Sequence, residues 1–361
     1  MLSDLDKQIN GQDKRIQAQI DDYRDTIFSI LGFCSLWFFD AATNQNRTYV
    51  KVFQGRHLSP VDKDSQITHE QHKKDVCPDL GIVIRDQVGI LGEVKKNFPK
   101  GHDERGKEIF AQLKAYDQEL IGWPTNNERL QSHELVLLVH QTTSRAAQDF
   151  YTKDVKEGDL RFDRPFSIVQ FNRSDQRVPY FFFQLVEGKI DKIEGSVDLY
   201  HGIQVPMKNL LAVYSVIKLY DAKPPLAYLL NLIWDHVLTP LASEDPKFER
   251  LRINQKLEIT VVVEDIIKRL HEGFSFFRWH TQYPNRQPQV PHKEWVQEAC
   301  QFLVEVKEAR WAKDNTELIV FYRKYADVLA HFVHLLAESE TKDVLQPKIP
   351  GFETPKNKNA N

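Results

Sequence analysis

The strongest constraint is a pair of apolar runs set almost end to end, Cys77-Pro78-Asp79-Leu80-Gly81-Ile82-Val83-Ile84 and Val88-Gly89-Ile90-Leu91-Gly92-Glu93-Val94-Lys95-Lys96. Both have strand length, and they read as core strands from about Leu80 to Arg85 and Gly89 to Lys95. The tight connection around Asp86-Gln87-Val88-Gly89 makes them a hairpin. Side chains alternate faces along a strand, so Glu93 and Lys95 point one way while Val94 turns to the opposite, buried face. Asp79 begins the partner strand, and the hairpin brings its carboxylate beside Glu93. Two facing carboxylates without a counter-charge repel each other. A divalent cation removes that conflict, and hard oxygen ligands suit Mg²⁺ or Mn²⁺, which keep several waters and take one or two carboxylates plus a substrate phosphate. Lys95 is placed to hold or polarise an attacking water and to lean on a phosphate oxygen. Together these parts suit metal-assisted hydrolysis of a phosphodiester.

The surrounding pattern frames the hairpin. Apolar positions Ile16, Ile20, Tyr23, Ile27 and Leu31 predict a helix over 12–35. Thr48 to Phe53 reads as a strand, and 54–76 as a long polar loop or a short helix. After the hairpin, Arg105 to Leu120 has a helical period, with Ile109, Phe110, Leu113, Tyr116 and Leu120 on one stripe. His133 to Gln141 is a continuous apolar run, which suggests a strand covered on both faces. Thr143 to Asp154 reads as a helix with Ser144 as a candidate N-cap, followed by strands Phe166 to Phe171 and Tyr180 to Gly188. Beyond about residue 195 the segments are longer and mostly helical in texture. The order indicates an α/β domain over 1–195, a helical domain over 196–346 that serves regulation, partner binding or dimerisation, and a Pro/Asn/Lys-rich disordered tail over 347–361.

Composition excludes several classes. The longest apolar stretches are interrupted by charge and fall short of the ~18 residues a membrane span needs. The 3 cysteines form no CxxC pair, which argues against a disulfide framework or a zinc ribbon and suits a cytoplasmic location. Net charge is −3, so a polyanion site has to be local. No P-loop, HExxH or nucleophile-elbow pattern is present.

With those residues in view, "PD" followed after an apolar strand by "EVK" resembles the PD-(D/E)XK nuclease superfamily, the restriction-endonuclease-like fold. The resemblance covers about residues 10 to 145. It implies an αβββαβ core, a metal held by Asp79, Glu93 and the Val94 carbonyl, and Lys95 as the catalytic lysine. Gln112 and Tyr116 in "AQLKAY" have a QxxxY spacing similar to the RecB-type exonuclease branch. In that branch the two residues contact the nucleic acid near the metal. Their i, i+4 separation puts both on one helix face, although Tyr116 also fits the apolar stripe of its helix. The family usually adds an acid or histidine from the first helix. Asp21, Asp22, Asp25, His57, Glu70 and His72 are the candidates here, and none sits in a distinguishing motif.

The resemblance implies a Mg²⁺- or Mn²⁺-dependent nuclease acting on DNA, with RNA as the alternative substrate and no membrane partner. Superfamily members with an appended domain often serve genome defence or repair, and the helical half would then recruit a partner protein or form a homodimer. The rival reading is a catalytically inactive nucleic-acid-binding or assembly subunit that keeps the fold. Two further features stay open. Lys96, Lys100, Arg105, Lys107 and Lys114 either meet phosphates or form a solvated face. The aromatic, basic stretch Gly273 to Trp295 either stacks on a single strand or forms a core cluster followed by a Pro-rich loop.

Overall fold

The structure is a computed structural model that describes residues 4–40, 45–47, 49–53, 58–60, 75–101, 103–125, 129–156, 161–174, 179–190, 199–208, 210, 218–219, 222–252, 255–272, 291–313 and 315–345. The chain is mixed α/β and divides into two compact units, one of Tyr23–Lys223 with Val262–Glu298, the other of Met1–Asp22, Pro224–Val261 and Ala299–Asn361. Helix α1 (Asp4–Phe38) is longer than its apolar spacing alone predicts and contributes turns to both units.

The first unit is built on a seven-stranded sheet. Strands β1 (Val50–Phe53), β2 (Leu80–Ile84), β3 (Val88–Lys95), β4 (Ser132–His140), β5 (Phe166–Ser174), β6 (Tyr180–Gly188) and β7 (Ile203–Pro206) lie side by side in chain order. β2 is antiparallel to both neighbours, β3, β4 and β5 are parallel, and β6 is antiparallel to both of its neighbours. Parallel neighbours require crossover connections. Helices α2 (Glu104–Ala115) and α3 (Gln141–Phe150) supply them.

Both crossovers step across the sheet in the same direction, so the right-handed rule puts both helices on one face. Accordingly Phe110 and Leu113 of α2 and Ala147 and Phe150 of α3 share a core with Leu91, Leu137, Val139 and Ile168. The rings of Phe110 and Phe150 stack at 5.2 Å. The opposite face carries the later turns of α1. There the Phe33 ring lies 6.0 Å from Phe183, and Gly32 comes so close that a Cβ would stand 2.8 Å from the Phe183 ring.

Several boundaries differ from their sequence expectation for local reasons. The hairpin turns at Arg85 and Asp86, both at positive φ (53° and 54°), with Gln87 N–H donating to the Ile84 carbonyl at 3.1 Å. That is a tight turn made without glycine, held by Lys51 on Asp86 at 2.6 Å and by the Arg85 guanidinium 5.0 Å over the Tyr49 ring. Helix α2 ends at Ala115 because buried Asp117 accepts the backbone N–H groups of Asp163 and Arg164, each at 2.8 Å. Leu120–Ile121 instead pairs with Ser59–Pro60 as a short antiparallel bridge. The N-cap of α3 is His140, whose ring accepts from Thr142 N–H, while the Ser144 hydroxyl lies 2.8 Å from Gln170 Oε1 and 3.0 Å from the Gln141 carbonyl, either of which can take its one proton.

The expected helical texture of the later chain is interrupted by strands. After α4 (Leu226–Ile233), β8 (Leu257–Val262) runs directly into α5 (Val263–Glu272). Helix α6 (Lys293–Glu305) is followed by β9 (Ala309–Lys313), and β10 (Glu317–Tyr322) precedes α7 (Val328–Leu345). The three strands form one sheet in the order β8-β10-β9, and the Trp234 ring stacks on Tyr322 at 5.4 Å. Most of the aromatic stretch, 273–290, lies outside the described residues, as do 54–57, 61–74 and the tail from 346. Among the described residues no helix is long and apolar enough to cross a membrane.

His133, near the start of β4, ties the two crossover strands to the end of α2. Its Nε2–H donates to the Tyr116 carbonyl at 2.8 Å, and its ring packs 5.4 Å from Trp123. Burial pushes its pKa down to about 4, although the Tyr116 carbonyl favours the charged form. The unfolded chain therefore binds a proton that the native state refuses between pH ~6.5 and ~4. Stability should fall as pH drops through that window, by up to about 1.4 kcal/mol per pH unit from this group. Urea titrations of wild type and His133→Gln at pH 7 and pH 4.5 check it: the difference between the two proteins should narrow at the lower pH.

Candidate active site

Strand β3 places its alternate residues as the sequence pattern requires. Glu93 and Lys95 stand in register with Leu137 and Val139 of β4, on the face that α2 covers. The last ladder pair of the hairpin is Leu80 with Gly92, so Asp79 lies just outside β2. Its carboxylate takes the place of a missing strand partner, with Oδ2 accepting the Val94 N–H at 2.8 Å. N–H and C=O of one residue in an extended strand project to the same side. The Val94 carbonyl thus points past the start of β2, toward the side on which Asp79 sits.

Asp79 and Glu93 are 4% and 0% exposed, and Lys95 reaches both. Its ammonium lies 2.8 Å from Glu93 Oε2 and 3.5 Å from Asp79 Oδ2. Burial, and then the neighbouring Asp79 charge, raise the Glu93 carboxyl to a pKa of about 8 against the pull of Lys95 and of a hydrogen bond from Tyr116. Burial works against the Lys95 charge as well. The two carboxylates outweigh it, and the ammonium is held above the ordinary lysine value. With a pKa of about 8 Glu93 holds a proton at neutral pH, which leaves Asp79 and Lys95 balanced; with both carboxyls ionised the cluster is one positive charge short of neutrality.

The residues of α2 complete the arrangement in a way the sequence pattern did not announce. Tyr116, the C-cap of α2, is 1% exposed, so its ring is part of the core. Its hydroxyl donates to Glu93 Oε1, with the Cys77 carbonyl at 3.4 Å on the same hydroxyl. Gln112, one turn earlier and half-buried, donates its amide N–H to the Tyr116 oxygen at 3.3 Å. Burial first, then Glu93, drive the phenol well above its ordinary pKa, so it keeps its proton at all ordinary pH and offers it to Glu93 when that carboxyl is ionised.

The structure therefore brings Asp79, Glu93, Val94, Lys95, Gln112 and Tyr116 together. Of the first-helix acids, Asp21 accepts from Gln17 at 3.0 Å, and Asp25 pairs with Arg173 at the end of β5 and acts electrostatically on His140 at the end of β4. His57, Glu70 and His72 lie outside the described residues. Of the basic cluster, Lys107 pairs with Glu104 and Lys114 with Asp117, while Lys100 and Arg105 are exposed. His133 and Asp117, which anchor Tyr116 from behind, carried no signal beyond their place beside the QxxxY helix.

Among the described residues no three His, Cys, Asp or Glu side chains gather into one group. A buried pair of carboxylates with one backbone oxygen fits a hard cation that retains most of its waters. Compared with family models, with curated proteins and with solved structures, the chain matches none.

The Lys95 ammonium stands between the two carboxylates that such a cation would use, so the two positive charges compete. Lys95→Met should lower the thermal midpoint of the metal-free protein by several degrees, since two buried carboxylates then face each other unrelieved. Mn²⁺ should recover more of that midpoint in Lys95→Met than it adds to the wild type. Equal Mn²⁺ shifts in both proteins would show that the ammonium does not hold the cation's place.

Proposed function

We propose that the chain is a Mg²⁺- or Mn²⁺-dependent nuclease of the PD-(D/E)XK type, hydrolysing phosphodiester bonds in DNA, with RNA as the alternative substrate. The observation that carries this reading is the burial of Asp79 and Glu93 together at the ends of two adjacent strands, with one lysine reaching both. The order helix, three antiparallel strands, helix, parallel strand supports it, since it is the αβββαβ order that the motif implies. So does the position of the cluster. It lies at the carboxyl end of parallel β3, the edge of an open α/β sheet at which ligands bind.

In this reading Asp79, Glu93 and the Val94 carbonyl hold the cation. A bound Mg²⁺ or Mn²⁺ would supply charge stabilisation at the phosphoryl oxygens and a more acidic water. The chain's own groups do the rest. Lys95, with three N–H donors on a flexible stem, turns from the carboxylates to a phosphate oxygen or to the attacking water. Asp79 keeps the Val94 peptide oriented through its N–H. Lys100 and Arg105, exposed on the loop and first turn after β3, are cations close enough in sequence to meet neighbouring phosphates. The second reading is a non-catalytic nucleic-acid-binding subunit. It draws on Asp21 and Asp25 of the first helix, which are engaged with Gln17 and Arg173, and on there being no third acid grouped with Asp79 and Glu93 among the described residues.

A cleavage assay separates the two. Linear duplex, supercoiled and single-stranded DNA and RNA would be incubated with Mg²⁺ or Mn²⁺, with EDTA as control. Cutting should require the metal and should fall by several orders of magnitude in Asp79→Ala and Glu93→Ala, the loss that removing a metal's chemistry produces. A folded Glu93→Ala protein that cuts like the wild type would sink the assignment. Binding without cutting on every substrate would favour the second reading.

A further inference from the structure

Building on that metal-site reading, we infer that Tyr116 is a positioning residue for the metal ligand Glu93 and not a stacking platform for the nucleic acid. The QxxxY spacing alone leaves both roles open, but the geometry separates them. A stacking residue presents a ring face to solvent. The Tyr116 ring is 1% exposed and enclosed with Phe98, Leu113 and Trp123 in the core beneath the sheet.

What Tyr116 offers the site is its hydroxyl alone, and that group is committed in one sense. It receives the Gln112 amide N–H, leaving its single proton for Glu93 Oε1, the nearer of the two oxygens it faces. Glu93 is thereby held at both ends, Oε1 by the phenol and Oε2 by Lys95. The two holds differ in kind. The Lys95 stem is flexible and its side chain is 26% exposed, so it can leave. Tyr116 cannot, because its N–H caps α2 on the Leu113 carbonyl at 3.0 Å and its own carbonyl is gripped by His133. When Lys95 moves aside, Oε2 becomes the oxygen available to a cation, and Oε1 stays with the phenol. Glu93 then binds through one oxygen in a fixed orientation. Partners that orient a ligand in this way are worth about 10- to 100-fold in metal affinity. Gln112 acts one step further back, by fixing the direction of the hydroxyl proton.

Tyr116→Phe is the decisive variant, since it keeps the ring and removes only the hydroxyl. The experiment is a Mn²⁺ titration of the metal-free full chain, read as free Mn²⁺ by electron paramagnetic resonance, on proteins shown to be folded by their melting curves. A single-stranded oligonucleotide would be titrated in EDTA beside it. Tyr116→Phe should bind Mn²⁺ at least about 10-fold more weakly than the wild type and bind the oligonucleotide unchanged. Gln112→Leu should show a smaller loss in the same direction. Wild-type Mn²⁺ affinity in a folded Tyr116→Phe would overturn the inference while leaving the metal site standing. Weaker oligonucleotide binding with unchanged Mn²⁺ affinity would assign the residue to the substrate instead. If the wild type binds no Mn²⁺, the metal reading falls and this inference with it. If Tyr116→Phe does not fold, Gln112→Leu at its half-buried position decides, and unchanged Mn²⁺ affinity there counts against the inference.

Discussion

Two carboxylates and one ammonium share a nearly water-free position at the edge of the sheet. Like charges about 4 Å apart near a protein surface repel by about 4 kcal/mol, and burial adds to that cost. Asp79 serves the backbone by accepting the Val94 N–H, a role an apolar residue could not take. The Lys95 ammonium between Asp79 and Glu93 lowers the cost without cancelling it. The raised Glu93 pKa is the remaining part of that debt. A charge arrangement of this kind is weak evidence for stability and better evidence for a site that takes up a further cation.

The sheet topology is what allows the arrangement. Because β2 is antiparallel to β3, the start of one strand and the end of the other meet at one edge. Because β3, β4 and β5 are parallel, their carboxyl ends lie along that same edge. Each crossover must then bring a helix back across the covered face. The return of α2 delivers its C-terminal turn to the level of Glu93. A hairpin alone could supply Asp79, Glu93 and Lys95, but it could not supply a buried hydroxyl from the far side.

This division also explains what was legible in the sequence. Strand alternation is a local rule, so the common face of Glu93 and Lys95, and the neighbouring place of Asp79, could be read from spacing. The turn at Arg85 and Asp86 was misplaced toward Gly89 because it lacks the glycine that usually marks positive φ. The strands of the second unit were hidden differently. β8 and β10 each bury every second residue, Leu257, Ile259 and Val261 in one and Leu318, Val320 and Tyr322 in the other. That period of two is short, and it adjoins strongly helical segments, with β8 passing into α5 without a loop. A window wide enough to detect the helix averages the strand away. The contact of Tyr116 with Glu93 spans 23 residues and depends on how a crossover returns, which no local period encodes.

The same long-range dependence decides how rigid the site is. Tyr116 is fixed at its N–H by the end of α2, at its carbonyl by His133 of β4 and at its hydroxyl by Glu93 of β3. The next residue, Asp117, grips the backbone of Asp163 and Arg164 just ahead of β5. Three parallel strands and the helix between two of them therefore converge on one short segment, and Glu93 takes its orientation from all of them. The Lys95 side chain has no such anchorage beyond the two carboxylates, and it is 26% exposed. The cluster thus combines a carboxylate that the fold holds still with an ammonium that the fold leaves able to move. In the proposed nuclease Lys95 would need that freedom to leave the carboxylates and meet a substrate, and Glu93, as a metal ligand, would need the opposite.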